Sequence, residues 1–275
     1  MGTKKFTYPF CYVPSKDVRE AAGSLIARIK ASGELDSMFR EGKMMGVLLT
    51  EAGPLYAFSG LAGGRSHVDG FVPPIFDTAA PGSYFKLREA EISAMPEGEE
   101  RKAASAGLQT WLFGQYRVCN ARGEWASIGE IFARRGLIPP GGTGDCAAPK
   151  LLQYAYNQGL KPLAMGEFWY GASHRSEVRE EGRFYPSCMG KCGPLLSFMM
   201  EGLEVDDNPL DLKYSGASPE ILHVDEDIIV VDKPAGLLSV PGRTKADSLL
   251  EHLQKQFMQV QKRDKVFRAL MLRTI

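Results

Sequence analysis

The chain has 275 residues, of which 44% are hydrophobic and 24% are charged. This is the composition of a globular protein with enough length for one large domain or two medium ones. Thirty-three basic residues balance thirty-three acidic ones. The whole chain therefore has no net field that draws it to nucleic acid or to a membrane surface, and an RNA-binding face has to be local.

Targeting and redox signals favour a cytoplasmic protein with no membrane partner. No segment approaches the roughly 20 apolar residues of a membrane span, and the N-terminus lacks the apolar core of a signal peptide. The five cysteines are an odd number in a chain too long to need disulfides, which indicates a reducing compartment.

The first half of the chain predicts helices around a β-hairpin. Residues 16–41 carry apolar side chains at helical spacing and predict one amphipathic helix. Two short apolar runs around residues 51–54 predict a hairpin. Residues 61–85 are rich in Gly and Pro and predict a loop. A charged helical stretch covers about 86–118 and is interrupted near 95–100.

The next segment predicts a helix, a strand and a further helix. Before it, Ser127 is a plausible N-cap of a short helix that Gly136 terminates. A Gly/Pro-rich loop then leads into a helix with Asp145 near its start, Pro149 in its first turn and Gly159 at its end. Residues 160–171 predict a strand, and 184–203 predict a turn followed by a helix.

The last part of the chain predicts a separate segment. We predict a mixed α/β (α+β) domain over residues 1–205, a polar linker over 206–219 and a C-terminal segment over 220–275. In that segment "ILHV" and "IIVVDKP" flank an acidic turn, so two short strands are expected. Lys233-Pro234 ends the second strand because proline cannot continue a ladder, and Gly236 lets the chain reverse.

The stretch "ILHVDEDIIVVDKPAGLLSVPGR", which begins at Ile221, closely resembles the start of the catalytic domain of RluA-type pseudouridine synthases. There a strand, an acidic turn, a second strand and K-P-x-G recur together, and "TKADSLLEHLQKQF" resembles the helix that follows. Upstream, "HVDGFVPPIFD", "GGTGDCAAPKLLQYAYNQGLKPLAMGEFWYG" and "FYPSCMGKCGPLL" are similar to the long N-terminal extension of a larger bacterial subset of that family.

This resemblance implies isomerisation of uridine to pseudouridine in rRNA or tRNA, without metal or small-molecule cofactor. The enzyme flips the uridine out of the RNA, and the aspartate of an H-R-L-D motif acts as the nucleophile. The resemblance gives Lys233, Pro234 and Gly236 a supporting, structural role at the active site. No H-R-L-D occurs in this sequence, and Asp264 lies in a different context. We therefore expect a synthase domain truncated near Met258 and a chain that is inactive alone.

Two other functions stay open. One is a non-catalytic module that binds RNA or a protein. The other is a domain related to zinc nucleobase deaminases, whose signature is H/C-x-E followed by P-C-x-x-C. Ala148 stands where that signature requires Glu, and three residues separate Cys188 from Cys192 where it requires two.

The cysteines and tryptophans have two interpretations each. Cys146, Cys188 and Cys192 at helix starts could bind a structural zinc, with His67 or His174 as a fourth ligand; the alternative is that they are buried as small apolar residues. The tryptophans could stack on bases or pack in the core; they are Trp111, Trp125 and Trp169.

Overall fold

A computed structural model describes residues 5–173, 178–209, 216–225, 227–241 and 247–256. The chain divides into two compact units, Met1–Asp207 and Asn208–Ile275, and the division lies inside the predicted linker. Helices and antiparallel sheets occur together, which confirms the predicted α+β class. Within these described ranges, no helix is both long and apolar enough to cross a membrane.

The helices and strands follow one another along the chain in a mixed order. In the first unit the described helices are α1 (Lys16–Ala31), α2 (Gly33–Phe39), α3 (Tyr84–Ala94), α4 (Glu99–Gln115), α5 (Ile128–Ala133), α6 (Ala147–Asn157) and α7 (Met189–Met199). Its strands are β1 (Lys43–Thr50), β2 (Gly53–Phe58), β3 (Arg117–Cys119), β4 (Trp125–Ser127), β5 (Pro162–Tyr170) and β6 (Phe184–Tyr185). The second unit contains β7 (Glu220–Val224), β8 (Ile229–Asp232) and α8 (Leu249–Gln256).

The centre of the first unit is a four-stranded antiparallel sheet with the order β2-β1-β5-β6. Because side chains alternate along a strand, β1 supplies both faces of the sheet. Val47 joins the core that α1 and α2 cover, together with Leu25. Leu48 joins the core on the other face, together with Leu151 of α6. The sheet is therefore buried on both faces, between two layers of helices.

Several local predictions are confirmed. The β1–β2 hairpin closes with Thr50 opposite Gly53. Ser127 caps α5 through a reciprocal capping box, because its Oγ accepts from the Glu130 N–H and the Glu130 carboxylate accepts from the Ser127 N–H. Residues 147–157 form the predicted helix, and Gly159 follows it with φ +67°.

Two helix predictions need correction. The single helix expected over residues 16–41 is wrong, because Ser32 is extended and its Oγ accepts from the Leu35 N–H at 3.3 Å to begin α2. The charged stretch is interrupted as expected, but it does not reach residue 118, since α4 ends at Gln115. The β3–β4 hairpin was not predicted. The Asn120 side chain closes its turn by accepting from two backbone N–H groups.

The second unit is a β-hairpin with one helix. The strands β7 and β8 pair antiparallel, which confirms the two strands and the acidic turn between them. Asp225 accepts from the Asp227 and Ile228 N–H groups at 2.8 Å each. A hydrogen bond from His223, followed by these backbone bonds, lowers the pKa of Asp225 to about 2. The predicted change of pattern after Phe257, including Asp264, lies outside the described residues.

Candidate functional site

The K-P-x-G segment of the second unit forms a compact turn directly after β8. The Lys233 ammonium donates to the Leu237 carbonyl at 2.8 Å and to the Pro234 carbonyl at 3.3 Å. The Leu237 N–H also donates to the Pro234 carbonyl, and Gly236 has φ +82°. Lys233, Pro234 and Gly236 thus each have a role in the local geometry. Its supporting role at an active site stays a prediction.

A hydrogen bond and apolar packing connect the turn to helix α8. The Leu249 N–H donates to the Leu238 carbonyl at 2.6 Å. Ser248 and Glu251 cap the helix reciprocally: the Glu251 N–H donates to Ser248 Oγ, and the Ser248 N–H donates to the Glu251 carboxylate. Leu237 is buried in a small apolar cluster with residues of α8 and β8. The position of the turn therefore depends on the packing of α8 against β8.

Gly236→Ala tests the turn, and we expect it to destabilise the second unit by about 1–2 kcal/mol, because a Cβ is disfavoured in the left-handed region. Hydrogen exchange of the backbone amides of 229–237 measures the effect, since all three tryptophans lie in the first unit. Gly236→Asn is the control. Asn tolerates positive φ, so it should lose less protection than Ala. Equal protection in Gly236→Ala and the unsubstituted chain would contradict the geometry.

The structure brings two of the three predicted metal cysteines together. Cys146 is the N-cap residue of α6, and Cys192 is fully buried in α7. A hydrogen bond from the Cys192 thiol lowers the pKa of Cys146, against the opposite effect of burial. The same hydrogen bond, together with burial, raises the pKa of Cys192. Cys188, the N-cap residue of α7, is exposed.

Around the cysteines, the described residues include no metal-binding group of three. Among the described residues, no three His, Cys, Asp or Glu side chains are placed to hold a metal ion. His67 Nδ1 is hydrogen-bonded to Ser66 Oγ at 3.0 Å and lies 3.6 Å from the Asp77 carboxylate. His174, the other proposed fourth ligand, lies outside the described residues. The structural zinc stays a prediction.

A buried carboxyl group that the sequence reasoning missed lies at the start of α6. Glu167, in the middle of β5, is 3% exposed. It accepts from Ser187 Oγ at 2.5 Å and from the Ala148 N–H at 3.2 Å. Burial raises its pKa, and these two hydrogen bonds oppose that effect. The available signal was a single charge within the apolar run "PLAMGEFWY", since an unpaired charge is rarely buried.

A buried cation lies on the same helix. Lys150 of α6 is 3% exposed. Its ammonium donates to the Phe58 carbonyl at 3.0 Å and to the Gly60 carbonyl at 3.1 Å. Burial lowers its pKa to about 8. The Lys150 ammonium group therefore loses its proton under mildly alkaline conditions.

The three tryptophans have different environments. Trp169 is buried, and its indole N–H donates to the Ala172 carbonyl. Trp111 packs against Phe76 and Tyr84. Trp125 is 51% exposed. The packing interpretation therefore describes the first two tryptophans, whereas Trp125 presents its ring to solvent.

Comparison with known proteins relates a short part of the chain to one enzyme. A segment of 43 residues is 51% identical to the dual-specificity RNA pseudouridine synthase RluA of Salmonella typhi, and equally to that of Salmonella typhimurium. The segment is 15% of this chain and 20% of each relative. The chain thus spans about a fifth of the length of these curated relatives. No protein-family model matches the chain, and no solved structure matches it.

Proposed function

We propose that this chain belongs to the RluA-type RNA pseudouridine synthases and that its second unit is part of their catalytic domain. The observation that carries the proposal is the 51% identity to RluA over 43 residues. The substrate class is then a uridine in rRNA or tRNA, and the reaction needs no metal or cofactor. The order strand, acidic turn, strand, K-P-x-G turn and helix in the second unit agrees with the resemblance described from Ile221 onward.

The hairpin of the second unit has the pattern of a strand pair from a larger sheet. On one face Ile229 and Val231 pack with residues of α8. On the other face the apolar side chains are exposed, with Leu222 at 59% and Val230 at 43%. Strands that are apolar on both faces are typical of sheets covered on both sides. This pattern supports a hairpin that belongs to a larger catalytic domain.

The chemistry of the family needs a carboxylate that this sequence does not identify. A nucleophilic aspartate can attack a carbon of the sugar or base and leave again after the uracil has rotated. This sequence contains no H-R-L-D motif. The Lys233 ammonium donates to the Leu237 carbonyl within the K-P-x-G turn, and Gly236 allows the chain to reverse there. We therefore expect the chain to supply the turn at the edge of the site and to form no pseudouridine by itself.

The test compares this chain with a chimera in which the residues after Phe257 are replaced by the part of a family member's catalytic domain that carries H-R-L-D. Both are incubated with total RNA from cells that lack the corresponding enzyme, and pseudouridine is measured by mass spectrometry. We expect modification by the chimera and none by the original chain. A chimera with Asp→Asn in H-R-L-D is the control. A folded chimera without activity would count against the proposal.

The second candidate is a non-catalytic module that binds RNA or a protein. The absence of H-R-L-D from the sequence favours it. The original chain and the chimera distinguish the two functions. If the chain is a binding module, it retains RNA in a filter assay, and the chimera forms no pseudouridine. Activity of the chimera would exclude this candidate for the family and leave it open only for the isolated chain.

A further inference from the structure

The first unit contains a cleft of about 240 Å³ that the sequence did not indicate. It is lined by α6, by the β3–β4 hairpin and by the loop at residues 73–75. The side chains with polar groups along it include Arg117, Trp125, Tyr154 and Asn157. The volume is below the roughly 300 Å³ of the smallest pockets that accept drug-sized molecules. The cleft is therefore a small, open one that would enclose only part of a ligand.

Among the described residues of the cleft, four polar side chains have N–H or O–H groups that donate to no protein acceptor, whereas Lys150 and Gln153 donate to protein oxygens. In the part of the chain that the structure describes, no hydrogen bond is made by the Arg117 guanidinium, the Trp125 indole or the Tyr154 hydroxyl. The Asn157 carbonyl accepts from Gln153 at 2.8 Å, which leaves its amide N–H groups available. An acceptor-rich ligand is the chemical complement of such a surface.

The charged side chains among the described residues that line the cleft are cations, and the carboxylates that interact with them, Glu130 with Arg117 and Asp145 with Lys150, lie outside the lining. Arg117 and Lys150 are the cations along it, and no carboxylate is among the described residues that line it. A guanidinium offers two parallel N–H groups that match a phosphate. Lys150 adds charge at short range, although its ammonium already donates to two backbone carbonyls. The ligand is therefore expected to carry a negative charge.

The exposed ring of Trp125 identifies the other part of the ligand. β4 places the residue opposite Cys119 of β3, at the outer end of the hairpin, with half of its surface in solvent. An indole in this position is a stacking platform, and stacking of a base on an aromatic side chain tolerates any base. A flat ring with carbonyl acceptors, joined to a phosphate, is the chemical complement of these four groups.

We propose that this cleft binds one nucleotide unit, with the base on Trp125 and the phosphate at Arg117. The unit can come from a free nucleotide or from single-stranded RNA, because both present the same base and phosphate. This site belongs to the first unit, and its existence does not depend on the function proposed for the second.

The test is isothermal titration calorimetry, which measures the affinity of the full chain for two probes, uridine 5′-monophosphate and a short oligouridylate. Trp125→Ala is expected to weaken binding by about tenfold. Arg117→Gln is expected to weaken binding and to lower the slope of log affinity against log salt by about 0.7 for the oligonucleotide. Trp125→Phe retains a ring and should retain most of the affinity. The matched controls are Tyr84→Ala, an aromatic residue 56% exposed outside the cleft, and Arg135→Gln, an exposed arginine outside it.

The two probes distinguish the sources of the ligand. Binding of the oligonucleotide alone assigns the cleft to RNA, binding of the mononucleotide alone assigns it to a free nucleotide, and either result supports the site if Trp125→Ala and Arg117→Gln weaken it. No binding of either probe overturns the proposal. The proposal is also overturned if both cleft variants bind with unchanged affinity while their far-UV circular dichroism spectra match that of the unsubstituted chain.

Discussion

Gly46→Ala is expected to destabilise the first unit by about 1–3 kcal/mol, because overpacking forces a close-packed interface apart. Gly46 lies in β1 where α6 crosses the sheet. A Cβ on it would be 2.7 Å from the Ala147 Cβ and 2.8 Å from Leu151 Cδ1. The Ala147 Cβ is fixed to the helix backbone, so α6 itself has to move. Gly46→Val adds two methyl groups at the same point and should cost more.

Gly107→Ala is the matched control for this substitution. Gly107 lies within α4, and a Cβ there would meet nothing within 4 Å. Ala is favoured over Gly in a helix by about 0.5–1 kcal/mol, so the same chemical change should stabilise the protein. Urea unfolding followed by tryptophan fluorescence measures both variants. If both substitutions change the free energy of unfolding in the same direction, the close approach of α6 to β1 is wrong.

Lys150 is expected to make the stability of the first unit depend on pH in the alkaline range. Its pKa in the folded chain is about 8, against an ordinary value of 10.5. Between these values the unfolded chain holds a proton that the folded chain has released. The free energy of unfolding therefore rises as the pH increases from about 8 to 10.5. With about 1.4 kcal/mol for each pKa unit, the total gain is about 3 kcal/mol.

The measurement is the difference in the free energy of unfolding between the unsubstituted chain and Lys150→Met across this pH range. Taking the difference removes the contributions of tyrosines and cysteines that both proteins share. The unsubstituted chain should gain stability relative to the variant as the pH rises. Lys16→Met, at a side chain 81% exposed, should give no comparable change. A flat difference between the unsubstituted chain and Lys150→Met would contradict the burial of a titrating amine.

The elements that were predicted correctly are those whose signals lie within a few residues. The β1–β2 hairpin follows from two apolar runs around a Gly-Pro turn, and α5 follows from Ser127 as its N-cap and Gly136 as its stop. The two short strands around Asp225 follow in the same way. Each of these elements is held by hydrogen bonds between near neighbours along the chain.

The incorrect end of the charged helix has a long-range cause. The sequence continues a helical pattern past Gln115, yet Tyr116 leaves the helix and its hydroxyl donates to the Asp145 carboxylate at 2.5 Å. That partner is 29 residues away. Tyr116 is also buried in the main core. A periodicity analysis cannot include a tertiary contact of this kind, so the β3–β4 hairpin was missed.

The amino-acid sequence by itself determined the α+β class, most of the local elements and the likeness of the segment around Lys233 to a synthase domain, because these depend on spacing and on short motifs. Only the tertiary structure decided which polar groups are buried together. Glu167 is hydrogen-bonded to Ser187, and Lys150 to the Phe58 carbonyl 92 residues away. The tertiary structure also places exposed Trp125 and α6 along one cleft. Such groups are brought together by the packing of helices on the sheet, and that packing is a property of the whole folded unit.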